Sequence, residues 1–191
     1  MITEINNGAL DGLANLLYLT MSGNPITSMD RLEFDALVQL RDLWVNRTPI
    51  ERISQGDFRG LAGLEELQLN ENHISNLEAG TFHGLETLHT LELTSNRIAN
   101  IERQAFDGLA SMRNLNLSSN LIAAIDAGDF GGLSDLRVLH LDANRISDLH
   151  GGGFQGLETL LTLDLAGNQI SNIEDSAFEG LANLLSLDLE G

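Results

Sequence analysis

Ser118, His140 and Asp164 offer a hydroxyl, an imidazole and a carboxylate, the set from which a nucleophile, its base and an orienting acid are made. No oxyanion hole or water-excluding pocket can be read beside them, and an open polar face produces such triples by accident. Hydrolysis is therefore a distant third among the functions considered, and no catalytic residue is assigned. His73, His83, His89 and His150 fall at unrelated places in the pattern, with no pair at metal-ligand spacing. There is no cysteine, which removes disulfides, thiolate zinc sites and thiol chemistry. Asp164 and Asp188 begin an acidic track with Asp142 and Glu190, and carboxylates ~4.8 Å apart repel by about 1–3.5 kcal/mol. Solvent is the first reading of that track and a basic partner the second. Calcium is the last, since it asks for ~6–8 oxygens. No metal and no cofactor are expected.

The remaining chemistry is recognition. The chain has one tyrosine, Tyr18, and one tryptophan, Trp44, with Arg41 and Arg47 to either side of the latter. Aromatic rings and arginine are the types enriched in binding hot spots. Together with Gln68, Glu92, Asn116, His140, Asp142, Asp164 and Asp188 they form the candidate partner-binding set.

What would bring these residues to one surface is a repeat. In residues 88–111, LHTLELTSNRIANIERQAFDGLAS, apolar side chains fall at positions 1, 4, 6, 11, 14, 19 and 22, with Asn96 at position 9. The same template returns 24 residues on as Met112, Leu115, Leu117, Asn120, Ile122, Ile125, Phe130 and Leu133. All seven phenylalanines (34, 58, 82, 106, 130, 154, 178) share this register. A fixed period in the range of roughly 20–50 residues signals a stack of identical units. Each L-x-L core alternates like a strand with one buried face. Stacked units must pair these strands in parallel, and the rest of the template supplies the crossover back. Strands are narrower than the returns, so the sheet lies on the inside of the curve. Positions 2, 3, 5, 7 and 8 then point out of that inner face. Tyr18 at position 3 and Trp44 at position 5 of the next unit come within reach of one another, and Arg41 and Arg47 share their face.

The signature L-x-x-L-x-L-x-x-N-x-I-x-x-I-x-x-x-x-F-x-G-L resembles the leucine-rich repeat of the 24-residue "typical" class. The resemblance implies an α/β right-handed solenoid, a horseshoe with a parallel concave sheet and an irregular or short-helical convex side. It covers essentially the whole chain: a partial repeat over 1–15, seven full repeats from 16 to 183 and a truncated repeat over 184–191, read as one domain. The family consists mostly of binding proteins with unrelated partners. Its extracellular animal members carry cysteine-rich caps, so a cysteine-free chain implies a bacterial protein or a trimmed fragment.

Asn at position 9 (Asn24, Asn72, Asn96, Asn120, Asn144, Asn168) is expected to form a structural ladder, bonding the backbone of its own loop and the next unit. Thr48 replaces it in unit two and Pro49 removes a backbone donor there, so that unit is expected to be the least regular. Asn46-Arg47-Thr48 and Asn116-Leu117-Ser118 match glycosylation acceptors by chance, since sugars there would block the inner face.

Charge and ends complete the reading. Net charge is −18, all ten cations are arginine, and such acidity repels phosphate backbones and anionic membranes. Nucleic acid is thus not an expected partner, and no apolar run reaches the ~18 residues of a membrane span. The opening MITEINNGAL has neither the basic nor the apolar region of a signal peptide. An extracellular or cell-surface place within a larger bacterial protein is favoured over a cytoplasmic one. The expected function is non-enzymatic recognition of a protein or peptide, including one with a basic segment, on the concave face. The polarised face is expected to be aromatic and basic at its N-terminal side and acidic at its C-terminal side. The rival is an assembly element stacking head to tail through Ile2 and Ile5 at one end and Leu187 and Leu189 at the other.

Overall fold

The computed structural model describes residues 1–30 and 32–191. Its strands are β1 (Tyr18–Thr20), β2 (Asp42–Trp44), β3 (Glu66–Gln68), β4 (Asn76–Leu77), β5 (Thr90–Glu92), β6 (Asn100–Ile101), β7 (Asn114–Asn116), β8 (Val138–His140), β9 (Asp148–Leu149), β10 (Thr162–Asp164), β11 (Asn172–Ile173) and β12 (Ser186–Asp188). Eight of them form one parallel sheet in the order β1-β2-β3-β5-β7-β8-β10-β12. Each residue pairs with the one 24 positions on, as Leu67 with Leu91 and Leu91 with Leu115. Two small parallel pairs, β4 with β6 and β9 with β11, lie on the return segments. The convex side is otherwise built of turns, and no helix occurs among the described residues. The short-helical option for that side is therefore not taken.

The register follows from burial. Leu43, Leu67, Leu91, Leu115, Leu139 and Leu163 at the strand centres are fully buried, which leaves both neighbours of each to face outward. On the far side of the core the rings from Phe58 to Phe178 stack with centroids 6.0–6.2 Å apart and nearly parallel planes. Hydrogen bonding continues past each strand. Leu93 N donates to Asn116 O (2.9 Å) and Ser95 N to Ser118 O (3.0 Å), and the same two steps recur from unit to unit. The second step requires a left-handed residue at position 8, which is Gly at 23 and 167 but Arg47, Glu71, Ser95, Ser119 and Ala143 elsewhere, φ 54–58°.

The position-9 asparagines satisfy the buried backbone between units. Asn120 Nδ2 donates to Leu117 O of its own unit and Leu93 O of the preceding one, both at 3.0 Å, while its Oδ1 accepts from Ile98 N at 3.0 Å. The cross-unit bonds thus run to the preceding unit, not the next. At unit two the pattern changes donor: Thr48 N and Oγ1 both donate to Asn72 Oδ1, and Thr48 is 2% exposed. Met21 O then keeps one amide partner, Asn24 Nδ2 at 3.0 Å, because threonine has no second proton to send there. Unit one is irregular too. Leu32 is buried where later units carry Gly56, Gly80, Gly128 and Gly152 with positive φ.

Candidate functional site

The side chains that flank the buried strand leucines form a continuous outward face, and all eleven candidate residues lie on it or at its margins. At the N-terminal side Tyr18 and Trp44 meet edge to face, centroids 4.8 Å apart and planes at 90°. The Trp44 indole N–H donates to Glu66 Oε1 at 3.1 Å, and Gln68 Nε2 donates to the same oxygen at 2.5 Å. Asn46 Nδ2 donates in turn to Gln68 Oε1 at 2.8 Å. A half-buried indole is thereby held by a ring on one side and a hydrogen-bonded chain on the other.

The two arginines do not make this end basic. Arg41 pairs with Glu65 (2.5 Å) and Arg47 with Glu71 (2.9 Å), each one unit further on. Position 2 and position 8 repeat laterally like every other, so a cation there meets whatever the next unit carries. Asp42 and Glu66 lie beside them. Burial, then the charges of Glu66 and Glu65, push the Asp42 carboxyl above its usual range. A recess of about 310 Å³ opens here, lined by Asp42, Glu65, Glu66, His89, Thr90 and Arg113. The expected aromatic and basic patch is an aromatic and charge-paired one with carboxylates in excess.

Glu92 sits mid-face, its carboxyl raised mainly by burial and partly held down by a hydrogen bond from Asn116. Further on, Asn116 Oδ1 accepts from the Ser118 hydroxyl at 2.6 Å, and that hydroxyl also contacts Asp142 Oδ1. His140 Nδ1 stands 3.5 Å from Asp164 Oδ2. The base thus faces its acid, but the serine is engaged by Asp142 and Asn116. The nucleophile–base contact of a triad is not made among the described residues. Asp188 pairs in register with Asp164 and is exposed on the last strand.

His140, Asp142 and Asp164 bring one ligand atom each to within 4.8 Å of one another, all half-buried. One imidazole and two carboxylates suit a borderline divalent ion better than calcium, which asks for more oxygens. No metal-ligating set was expected from the sequence. The available signal was that positions 5 and 7 of one unit adjoin position 5 of the next. Both chance glycosylation matches are structurally engaged: Asn46 and Asn116 are hydrogen-bonded through their side chains, and Thr48 is buried.

Comparison with known proteins bears on this arrangement. A family model described as Leucine rich repeat matches residues 38–98, 86–146 and 134–191. No curated protein matches the sequence. Among solved structures, the TLR13–ssRNA13 complex superposes with a TM-score of 0.91 at 33% identity over 97% of this chain. Two structures of the Toll–Spatzle complex of Drosophila superpose with TM-scores of 0.76 and 0.80 at 20% and 22% identity, covering 98% and 99% of this chain. The chain spans 27–28% of the length of these structures.

Proposed function

The chain belongs to the leucine-rich repeat family, and from that premise we propose that it is a non-enzymatic recognition module binding a protein or peptide on its concave sheet face. Tyr18 and Trp44 are the anchors. The observation that carries this reading is their edge-to-face contact outside the core, with Tyr18 42% exposed. A core tryptophan would be explained by packing, whereas a half-buried one on an open polar sheet is explained by a partner. Arg41, Arg47, Gln68, Glu92, Asn116, His140, Asp142, Asp164 and Asp188 line the rest of the path and set its charge.

Partner class follows from that charge. The fold does not decide it, since the 33%-identical structure is a complex with single-stranded RNA. For this chain, 28 acidic residues against ten arginines oppose a phosphate backbone, and a protein segment carrying basic residues complements the face. No helix among the described residues is long and apolar enough to cross a membrane.

The test is selection from a random-peptide display library on the 191-residue protein. Wild type enriches binding peptides, and Trp44→Ala loses them while keeping its circular dichroism spectrum. Selected peptides that bind Trp44→Ala as tightly as wild type would remove the proposed site.

A second reading has its own observation. On the last repeat Leu185, Leu187 and Leu189 are 83%, 40% and 41% exposed, and Leu187 and Leu189 occupy positions that units two to seven bury. End-to-end assembly through these surfaces predicts mass rising with concentration in light scattering, independent of Trp44. A monomer at all concentrations excludes it.

A further inference from the structure

The aromatic pair stands among unneutralised carboxylates. Asp42 is the strand partner of Tyr18, and Glu66 is the strand partner of Asp42. Arg41 is taken by Glu65 and Arg47 by Glu71, and among the described residues no arginine or histidine nitrogen lies within 4 Å of the Asp42 or Glu66 carboxylate. Both carboxylates line the recess, and each adjoins a ring, Asp42 in register with Tyr18 and Glu66 bonded to the Trp44 indole. Arg113 on its wall and Arg41 against Glu65 leave three carboxylates facing two guanidiniums.

We propose that the segment bound at Tyr18 and Trp44 presents an arginine or lysine side chain there, its stem laid on the rings and its cationic head between Asp42 and Glu66. This rests on the concave-face reading above and names the chemistry of its partner. Three physical terms favour such an occupant. Ring faces attract cations electrostatically. Long basic side chains lay apolar stems on apolar surface while the charge stays at a polar tip. The like charges of Asp42, Glu65 and Glu66 raise the energy of one another, and a docked cation relieves that repulsion. Nowhere else on the face do these coincide: Asp164 faces His140, Asp142 holds Ser118, and no phenylalanine, tyrosine or tryptophan other than Tyr18 and Trp44 lies on the sheet strands. The indole N–H held by Glu66 ties ring and carboxylate into one unit, so that a cation bound by one is positioned for the other.

Trp44 is the chain's single tryptophan, so its fluorescence reports this seat and no other. The experiment uses peptides from the display selection, synthesised and titrated against the 191-residue protein by Trp44 emission. The expected result is arginine or lysine enriched at one peptide position, and replacement of that residue by glutamine weakening binding about tenfold or more, equivalent to about 1.4 kcal/mol. The Asp42→Asn/Glu66→Gln double variant, which removes repulsion and so does not threaten the fold, weakens binding to the same extent. Glu51→Gln/Asp175→Asn, equal in charge removed but exposed on the return segments away from the concave strands, changes it less than twofold. Equal losses in the two double variants mean diffuse attraction to an acidic surface and overturn the seat. Selected peptides without a basic residue that still require Trp44 overturn it too, while leaving the concave-face reading in place. Peptides indifferent to Trp44→Ala overturn both, as does a library from which nothing is enriched.

Discussion

Tyr18 and Trp44, on neighbouring strands and 4.8 Å apart at right angles, support one another outside the hydrophobic core. Such a pair contributes about 0.5–1.5 kcal/mol beyond the area it buries. Tyr18→Ala is expected to lower stability by at least that amount and to shift Trp44 emission to the red as water reaches the indole. A urea titration followed by fluorescence reads both quantities in one experiment. An unshifted emission maximum would mean that the indole does not depend on Tyr18 for its shielding.

Asn120 is 4% exposed and bonds backbone groups of two units, Leu93 and Ile98 in one and Leu117 in its own. Asn120→Ala leaves the buried Ile98 N–H without a partner and is expected to cost about 2–4 kcal/mol. Asn24 is half-buried, bonds only Met21 and Ser22 with its amide and accepts from Ile2, so Asn24→Ala should cost about 1 kcal/mol or less. Equal losses at the two positions, measured by chemical denaturation, would show that the ladder works by local turn geometry rather than by coupling units.

Ala143 and Gly132 test the backbone in opposite directions. Ala143 is exposed with φ 54°, a conformation that costs a side-chain-bearing residue about 1–2 kcal/mol. Ala143→Gly removes that strain against a chain-entropy cost of about 0.5–1 kcal/mol, so a net gain of about 0.5–1 kcal/mol is expected. Gly132 has φ 93°, and a Cβ there would lie 2.7 Å from Phe106 O. Gly132→Ala is therefore expected to destabilise more than Ala143→Gly stabilises, as thermal midpoints would show.

Glu92 carries the pH prediction. Burial raises its folded-state pKa above the unfolded value of about 4.5, so the folded form holds the proton more tightly. The stability it contributes is full below the unfolded pKa and is lost as pH rises through the folded one. At neutral pH the charged Glu92 is a burden, and Glu92→Gln is expected to raise the melting temperature there. The variant should also flatten the fall in stability between weakly acidic and neutral pH. A Glu92→Gln variant that is less stable than wild type at neutral pH would contradict the sign.

Much of the fold was legible because the apolar residues allow few alternatives. Seven phenylalanines on one 24-residue register announce a stacked column, and the rings from Phe58 to Phe178 form it. Legibility fails where one unit departs from the template. Leu32 enters the core at a place where the period anticipates a turn residue, since its unit lacks the glycine that marks that turn in four of the later units. Thr48 keeps its rung through a hydroxyl that an asparagine-based reading leaves out.

The candidate face divides in the same way. That Tyr18 and Trp44 point outward on adjacent strands follows from counting positions. That Arg41 and Arg47 are consumed by Glu65 and Glu71 follows only from seeing which way flexible side chains reach. The same holds for Ser118, which turns to Asp142, and for His140, which faces Asp164.

The sequence alone thus determined the strand register and the division into buried and outward positions, because a 24-residue apolar period has one arrangement that buries the strand leucines of the interior units. The tertiary structure decided which outward groups neutralise one another and which stay open to a partner. Strands ~4.8 Å apart put several polar side chains within reach of each long one. The choice among them rests on rotamers and local burial that no single repeat encodes.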